Sequence, residues 1–115
     1  MGVFETAFHQ TIPMERKIFG LPYEWYETYG VQRLGYHGAS HGYIADVLGE
    51  IAAKEGRKHY RAISCHLGGS CSICAIEDGK SVDTSFGMSL NPVSSTPTGW
   101  ETWIPVYCIF WRARD

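Results

Sequence analysis

The chain has 115 residues, enough for one modest domain but too few for two lobes with a cleft between them. Its formal net charge of -2, from 10 Lys and Arg against 12 Asp and Glu, provides no basic stripe for nucleic acid and no polybasic anchor for a membrane. Without an apolar run near ~18 residues or a secretory signal, we expect a cytoplasmic protein whose four cysteines stay reduced.

The first elements predicted along the chain are two short helices. One follows Pro13, which fits a first helical turn, and is interrupted at Gly20. The other lies around Trp25 and is closed by Gly30. Residues 31–36 are then predicted to form a strand that leads into a glycine-rich turn.

A longer helix follows this turn. Apolar residues recur at helical spacing over 44–51, which predicts a helix that begins at Ser40 or His41 and ends at Gly56. Two strand-like runs come next, at 60–67 and 72–76, and the second closes on an Asp-Gly turn typical of a hairpin. The order strand, helix, strand, hairpin predicts an α/β domain.

Two glycine-flanked segments carry histidines. Tyr-His-Gly-Ala-Ser-His occupies 36–41, and Cys-His-Leu-Gly-Gly-Ser-Cys-Ser occupies 65–72. Imidazoles can donate to the oxygens of a transferring phosphoryl group, and the N–H groups of a Gly/Ser turn can form an anion-binding concavity. Together the segments indicate phosphoryl chemistry, although each alone is also compatible with an ordinary turn.

Motifs in a fixed order indicate a family. Along the chain lie Phe-Glu-Thr-Ala-Phe-His, Leu-Pro-Tyr-Glu, Gly-Tyr-His-Gly-Ala-Ser-His, His-Leu-Gly-Gly-Ser and Ser-Val-Asp-Thr-Ser, between Phe4 and Ser85. In order and spacing they resemble the middle of an acetate kinase, over roughly three quarters of this chain but less than half of a family member. The resemblance implies a partial ribonuclease-H-like α/β domain of the actin and sugar-kinase superfamily.

The resemblance also implies catalytic residues. Glu5 stands where the family has an aspartate at the reacting carboxylate, and its extra methylene shifts the carboxylate by about 1 Å. His37 matches the histidine that donates to the phosphoryl oxygens during transfer. The alternatives are a surface glutamate that opens a loop and a turn histidine.

A nucleotide-binding loop is implied at 66–70. The family's His-Leu-Gly-Asn-Gly contacts ATP phosphates, and it corresponds here to His66, Leu67, Gly68, Gly69 and Ser70. The glycines allow main chain to approach phosphate, while the absent Asn side chain removes one polar contact. An ordinary hairpin turn is the alternative. ATP or ADP and Mg²⁺ are the implied cofactors, with the Mg²⁺ ligands outside this chain.

Three further groups receive less specific predictions. His41 is expected to be structural, as a helix cap or a partner of a carbonyl, and a catalytic role is the alternative. Asp83 either lies near the phosphate cleft or caps a turn. Cys71 and Cys74 are not expected to bind metal, because residues three apart on a strand point to opposite faces. No metal-ligating residue is predicted in the chain.

The motif match ends after Met88, where the composition changes. Codons can be chosen for 99–105 so that a shifted frame reads Val-Gly-Asp-Leu-Asp-Pro, which the family carries there. The single codons of Trp100 and Trp103 constrain this fit. We therefore divide the chain into residues 1–90, a partial kinase-like domain, and residues 91–115, an out-of-frame tail without a native fold. A divergent but genuine tail is the alternative.

The functional expectation follows from the resemblance. The parent enzyme would transfer a phosphoryl group between ATP and acetate, giving acetyl phosphate and ADP, and would be a homodimer whose ligands are a nucleotide and a small carboxylate. Propionate or butyrate kinase is one alternative, and a non-catalytic remnant or binding fragment is another. The chain by itself is expected to be inactive, without nucleic-acid or membrane partners.

Overall fold

A computed structural model describes residues 4–87, and the backbone of residues 106–112. After a 3-10 helix, Ala7–Thr11, three α-helices follow. They are α1 (Met14–Lys17), α2 (Tyr23–Tyr29) and α3 (Gly38–Lys54). The strands are β1 (Arg61–Leu67), β2 (Cys71–Glu77), β3 (Lys80–Thr84) and β4 (Val106–Arg112).

The sheet has the order β3-β2-β1-β4, with every neighbouring pair antiparallel. The β2–β3 hairpin turns through Asp78 and Gly79, both with positive φ, at 50° and 81°. Two residues in this conformation match the twist of the flanking strands, so the predicted Asp-Gly hairpin is confirmed. The β1–β2 hairpin is closed by residues 68–70, with Leu67 opposite Cys71.

Helix α3 packs its apolar side on β1 and β2. Ile44, Ala45, Leu48 and Ala52 recur on one face of the helix, and all are buried. They form one core cluster with the buried side chains Tyr60, Ala62, Cys74 and Ile76. The hydroxyl of Tyr60 donates to the Ala45 carbonyl at 2.9 Å, which ties the start of the sheet to the helix. The helix therefore has a fixed position over the sheet.

Two predictions about local structure are wrong. The strand expected at 31–36 is absent, because the backbone there bonds to helices: the Arg33 N–H donates to the Lys17 carbonyl at 2.7 Å. Gly35, with φ of 74°, also interrupts an extended conformation. Helix α3 begins at Gly38, ahead of the predicted Ser40 or His41.

The tail contributes β4, which pairs with β1 from Val106 opposite Leu67 to Arg112 opposite Arg61. Such a ladder uses backbone groups that every sequence carries, and the edge of β1 offers unpaired partners. The strand therefore does not distinguish a genuine tail from an out-of-frame one, and the division into 1–90 and 91–115 stays a prediction. Within the described ranges, no helix is long and apolar enough to cross a membrane.

Candidate active site

The predicted catalytic residues meet at the start of α3. His37 precedes the helix in the left-handed conformation, with φ of 58°, and the Gly38 N–H donates to the Glu5 carbonyl at 2.9 Å. A Cβ on Gly38 would collide with that same carbonyl oxygen, so this approach requires glycine. Glu5 itself is exposed. Burial and the charge of His66 lower the pKa of His37, and the negative charge of Glu5 partly opposes this shift. The two residues therefore share one site.

The His37 ring is held on both sides. Its Nδ1 atom is 2.9 Å from the Ser72 hydroxyl and its Nε2 atom is 2.9 Å from the Ser70 hydroxyl. The ring stacks on His66 at a centroid distance of 3.9 Å. Burial, followed by the charge of His66, lowers the pKa of His37 below 6.5, so the ring is neutral at neutral pH and has one N–H to donate.

His41 is fully buried and lies within α3, so the prediction that it caps the helix or binds a carbonyl is wrong. Its Nδ1 atom is 2.9 Å from the Ser64 hydroxyl on β1, and its Nε2 atom is 2.7 Å from the Ser72 hydroxyl on β2. Burial, helped by the neighbouring histidines, lowers its pKa to about 3. A neutral His41 thus joins the helix to both strands.

The predicted nucleotide loop lies beside His37. His66 and Leu67 alternate along β1, so their side chains lie on opposite faces, and Leu67 can offer only main chain to a ligand on the His66 face. Gly69 has open space where a Cβ would be, and Gly68 lies so close to the His66 ring that a Cβ would be 3.0 Å from Nε2. The loop is thus open enough at Gly69 for an anion to approach its backbone.

The site includes residues that sequence reasoning did not select. His9 is buried, and its Nδ1 atom lies 2.9 Å from the Ser81 hydroxyl. Its Nε2 atom lies 2.8 Å from the Tyr36 carbonyl, and because a carbonyl only accepts, Nε2 is the donor. Ser64 and Ser72 supply hydroxyls to His41 of α3. The sequence signal that could have identified these serines is their position in the strands: Ser64 in β1 and Ser72 in β2 share a face with residues of the core, where a polar side chain needs a buried partner.

The profile of the Acetokinase family matches residues 1–95. The chain belongs to this family. It is 48% identical over 89 residues to the acetate kinase of Carboxydothermus hydrogenoformans, covering 77% of this chain and 22% of that protein. With the acetate kinase of Acholeplasma laidlawii it shares 46% over 99 residues, covering 86% and 24%. The chain thus spans less than a quarter of the length of these relatives.

Solved structures of acetate and propionate kinases share the fold of about three quarters of this chain. The acetate kinase of Porphyromonas gingivalis matches with a TM-score of 0.67 at 40% identity, over 77% of this chain and 22% of that one. A propionate kinase from Francisella tularensis matches with a TM-score of 0.64 at 41% identity, over 74% and 21%. The predicted partial α/β domain of the actin and sugar-kinase superfamily is confirmed. The family match extends five residues past the predicted boundary at 90.

Asp83 in this Acetokinase chain has a structural contact. Its carboxylate accepts from Arg33 at 2.8 Å and from the Thr84 N–H at 2.8 Å. The Arg33 guanidinium also donates to the Thr84 carbonyl at 2.8 Å. These contacts attach the segment before His37 to the end of β3.

The described residues do not fit a resident metal. Among them, no group of three or more His, Cys, Asp or Glu side chains is arranged to hold an ion. Burial raises the pKa of the Cys74 thiol to about 11, which opposes the thiolate form that a metal would require. That the Mg²⁺ ligands implied by the family lie outside these ranges stays a prediction.

Proposed function

We propose that this chain supplies part of the active site of an acetate kinase, which transfers a phosphoryl group between ATP and acetate to give ADP and acetyl phosphate. The observation that carries this proposal is the position of His37 between the 66–70 loop and the Glu5 segment. In this proposal the loop on one side binds the nucleotide and the exposed Glu5 carboxylate on the other side faces the acid, which is the order that a direct in-line transfer requires.

In this mechanism each residue has one task. The main chain of the loop, open at Gly69, binds the ATP phosphates. His37 donates its Nε2–H, which faces the Ser70 hydroxyl of the loop, to a phosphoryl oxygen that takes the place of that hydroxyl. Glu5 orients the carboxylate oxygen that attacks, since the acid is already ionised at neutral pH and has no proton to lose. Mg²⁺ would neutralise phosphate charge from ligands outside the described residues.

Donors around His37 are neutral imidazoles and hydroxyls, whereas the phosphoryl group is anionic. Because phosphoryl transfer depends on cations that stabilise this charge, we propose that the chain is inactive without the other parts of the enzyme. A non-catalytic remnant therefore remains the second proposal for the chain on its own. Turnover above background by the purified 115-residue chain, in an acyl-hydroxamate assay, would contradict this.

The substrate assignment has its own test. A propionate kinase is among the structural neighbours, so propionate and butyrate stay alternatives to acetate. We propose assaying the full-length parent with two- to four-carbon acids, expecting the highest kcat/KM with acetate. A parent that phosphorylates sugars and no carboxylate would overturn the proposed function. The cytoplasmic location and the homodimer of the parent belong to the same proposal.

A further inference from the structure

A continuous row of hydrogen bonds runs from the buried strand β1 to the nucleotide loop. Its members are, in order, Ser64, His41, Ser72, His37 and Ser70, joined at 2.9, 2.7, 2.9 and 2.9 Å. Ser72 contacts a nitrogen of both rings, so it is the link between His41 and His37. The row starts in the core and ends where a phosphoryl group would bind.

The direction of this row is uniform. A neutral imidazole has one donor nitrogen and one acceptor nitrogen, and a hydroxyl has a single hydrogen to donate. If Ser64 donates to His41, then His41 must donate to Ser72. Ser72 is 1% exposed, and within the described residues the two rings are the hydrogen-bond partners of its hydroxyl, so its own hydrogen is directed at His37 rather than left buried without an acceptor. As long as the Ser72 hydrogen stays paired, reversing one bond of the row reverses the others. Two arrangements are therefore possible, and they place the His37 hydrogen on opposite nitrogens.

Burial at the two ends selects between them. Ser64 is 1% exposed, and within the described part of the chain His41 Nδ1 is the hydrogen-bond partner of its hydroxyl. If Ser64 accepted from His41, its own hydrogen would be buried without an acceptor, which is costly. Ser70, by contrast, is only half-buried on its loop, so water can accept its hydrogen. The row therefore donates outward, from Ser64 to Ser70.

We propose that Ser64, His41 and Ser72 are positioning residues that hold His37 as its Nε2–H tautomer, with the hydrogen directed at the nucleotide loop. The inference rests on the proposed function for its purpose, since this tautomer is the one that can donate to a phosphoryl oxygen. The tautomer itself does not depend on turnover. It can be measured in the chain without nucleotide or acid.

The test is long-range proton–nitrogen NMR of the ¹⁵N-histidine-labelled chain at neutral pH, because protonated and unprotonated ring nitrogens resonate far apart. In the wild-type chain we expect the Nε2–H tautomer of His37 to exceed the Nδ1–H tautomer by about tenfold or more, from the cost of an unpaired buried hydroxyl. Ser64→Ala and Ser72→Ala should each lower this ratio by about tenfold. Ser81→Ala, which removes an equally buried serine bound to His9, should leave it unchanged.

Three results would overturn the proposal. These are a wild-type His37 that is mainly Nδ1–H, a ring with the tautomer ratio and titration of free imidazole, and a ratio unaffected by both Ser64→Ala and Ser72→Ala. A full-length parent without kinase activity would refute the proposed function and leave these spectra as they are. The two failures are therefore distinguishable.

Discussion

Replacing His41 by alanine tests whether the row of hydrogen bonds between α3 and the sheet stabilises the fold. The side chain is completely buried and has hydrogen bonds at both nitrogens, to Ser64 and Ser72. Its removal leaves the buried Ser64 hydroxyl without a hydrogen-bond partner, which costs about 1–3 kcal/mol. It also removes a hydrogen bond at Ser72 that is worth about 1 kcal/mol. The cavity left by the ring adds a cost, and the expected loss in the free energy of unfolding is about 3–5 kcal/mol.

Urea denaturation of the chain, followed by circular dichroism, measures this loss. The matched control is His59→Ala, because the side chain of His59 is 84% exposed and its ion pair with Asp78 lies at the surface. We expect the control to change the free energy of unfolding by less than about 1 kcal/mol. A His41→Ala variant within about 1 kcal/mol of wild type would show that the ring does not bridge α3 and the sheet as described.

The other predictions concern pH, catalysis and the gene. Burial lowers the pKa of His41 from 6.5 to about 3 in the folded chain, so the unfolded chain binds more protons between these two pH values. The contribution of His41 to the free energy of unfolding should therefore be fully present above pH 6.5 and decrease as the pH falls towards 3. The slope of stability against pH should be shallower in His41→Ala. An equal slope in both proteins would assign the acid sensitivity to other groups. In a full-length enzyme with the frame restored, His37→Ala should lower kcat about a hundredfold with little change in KM, by loss of a transition-state donor; normal turnover with a lower Tm would make His37 structural. Resequencing around the Leu90 codon should recover Asn-Arg-Val-Gly-Asp-Leu-Asp-Pro in the shifted frame, whereas a verified single frame would make 91–115 a genuine tail.

Local features of the fold could be read from the sequence. The Asp78-Gly79 hairpin and the Gly30 end of α2 depend on backbone conformations that these residue types favour, so they need no distant partner. The long helix was also predicted, except for its first turn. Its start at Gly38 depends on the Glu5 carbonyl, which the N–H of that residue reaches only in the folded chain.

The motifs likewise identified the family and brought Glu5, His37 and the 66–70 loop forward as candidates. Their roles in catalysis and ATP binding stay predictions. What the motifs did not indicate is how the histidines are held. His9 bonds to Ser81, which follows it by 72 residues, and His41 bonds to Ser64, which follows it by 23 residues. Nothing in the sequence pattern indicates that these residues are paired.

The sequence by itself determined the family, the α/β class and the turns, because each is expressed in neighbouring residues. Tertiary structure alone decided that residues 31–36 bond to a helix, and that Ser72 stands between His37 and His41. The physical reason is that a buried polar side chain must find a partner inside the core. Which partner it finds depends on how α3 lies across the sheet, a relation between segments that are far apart in the chain.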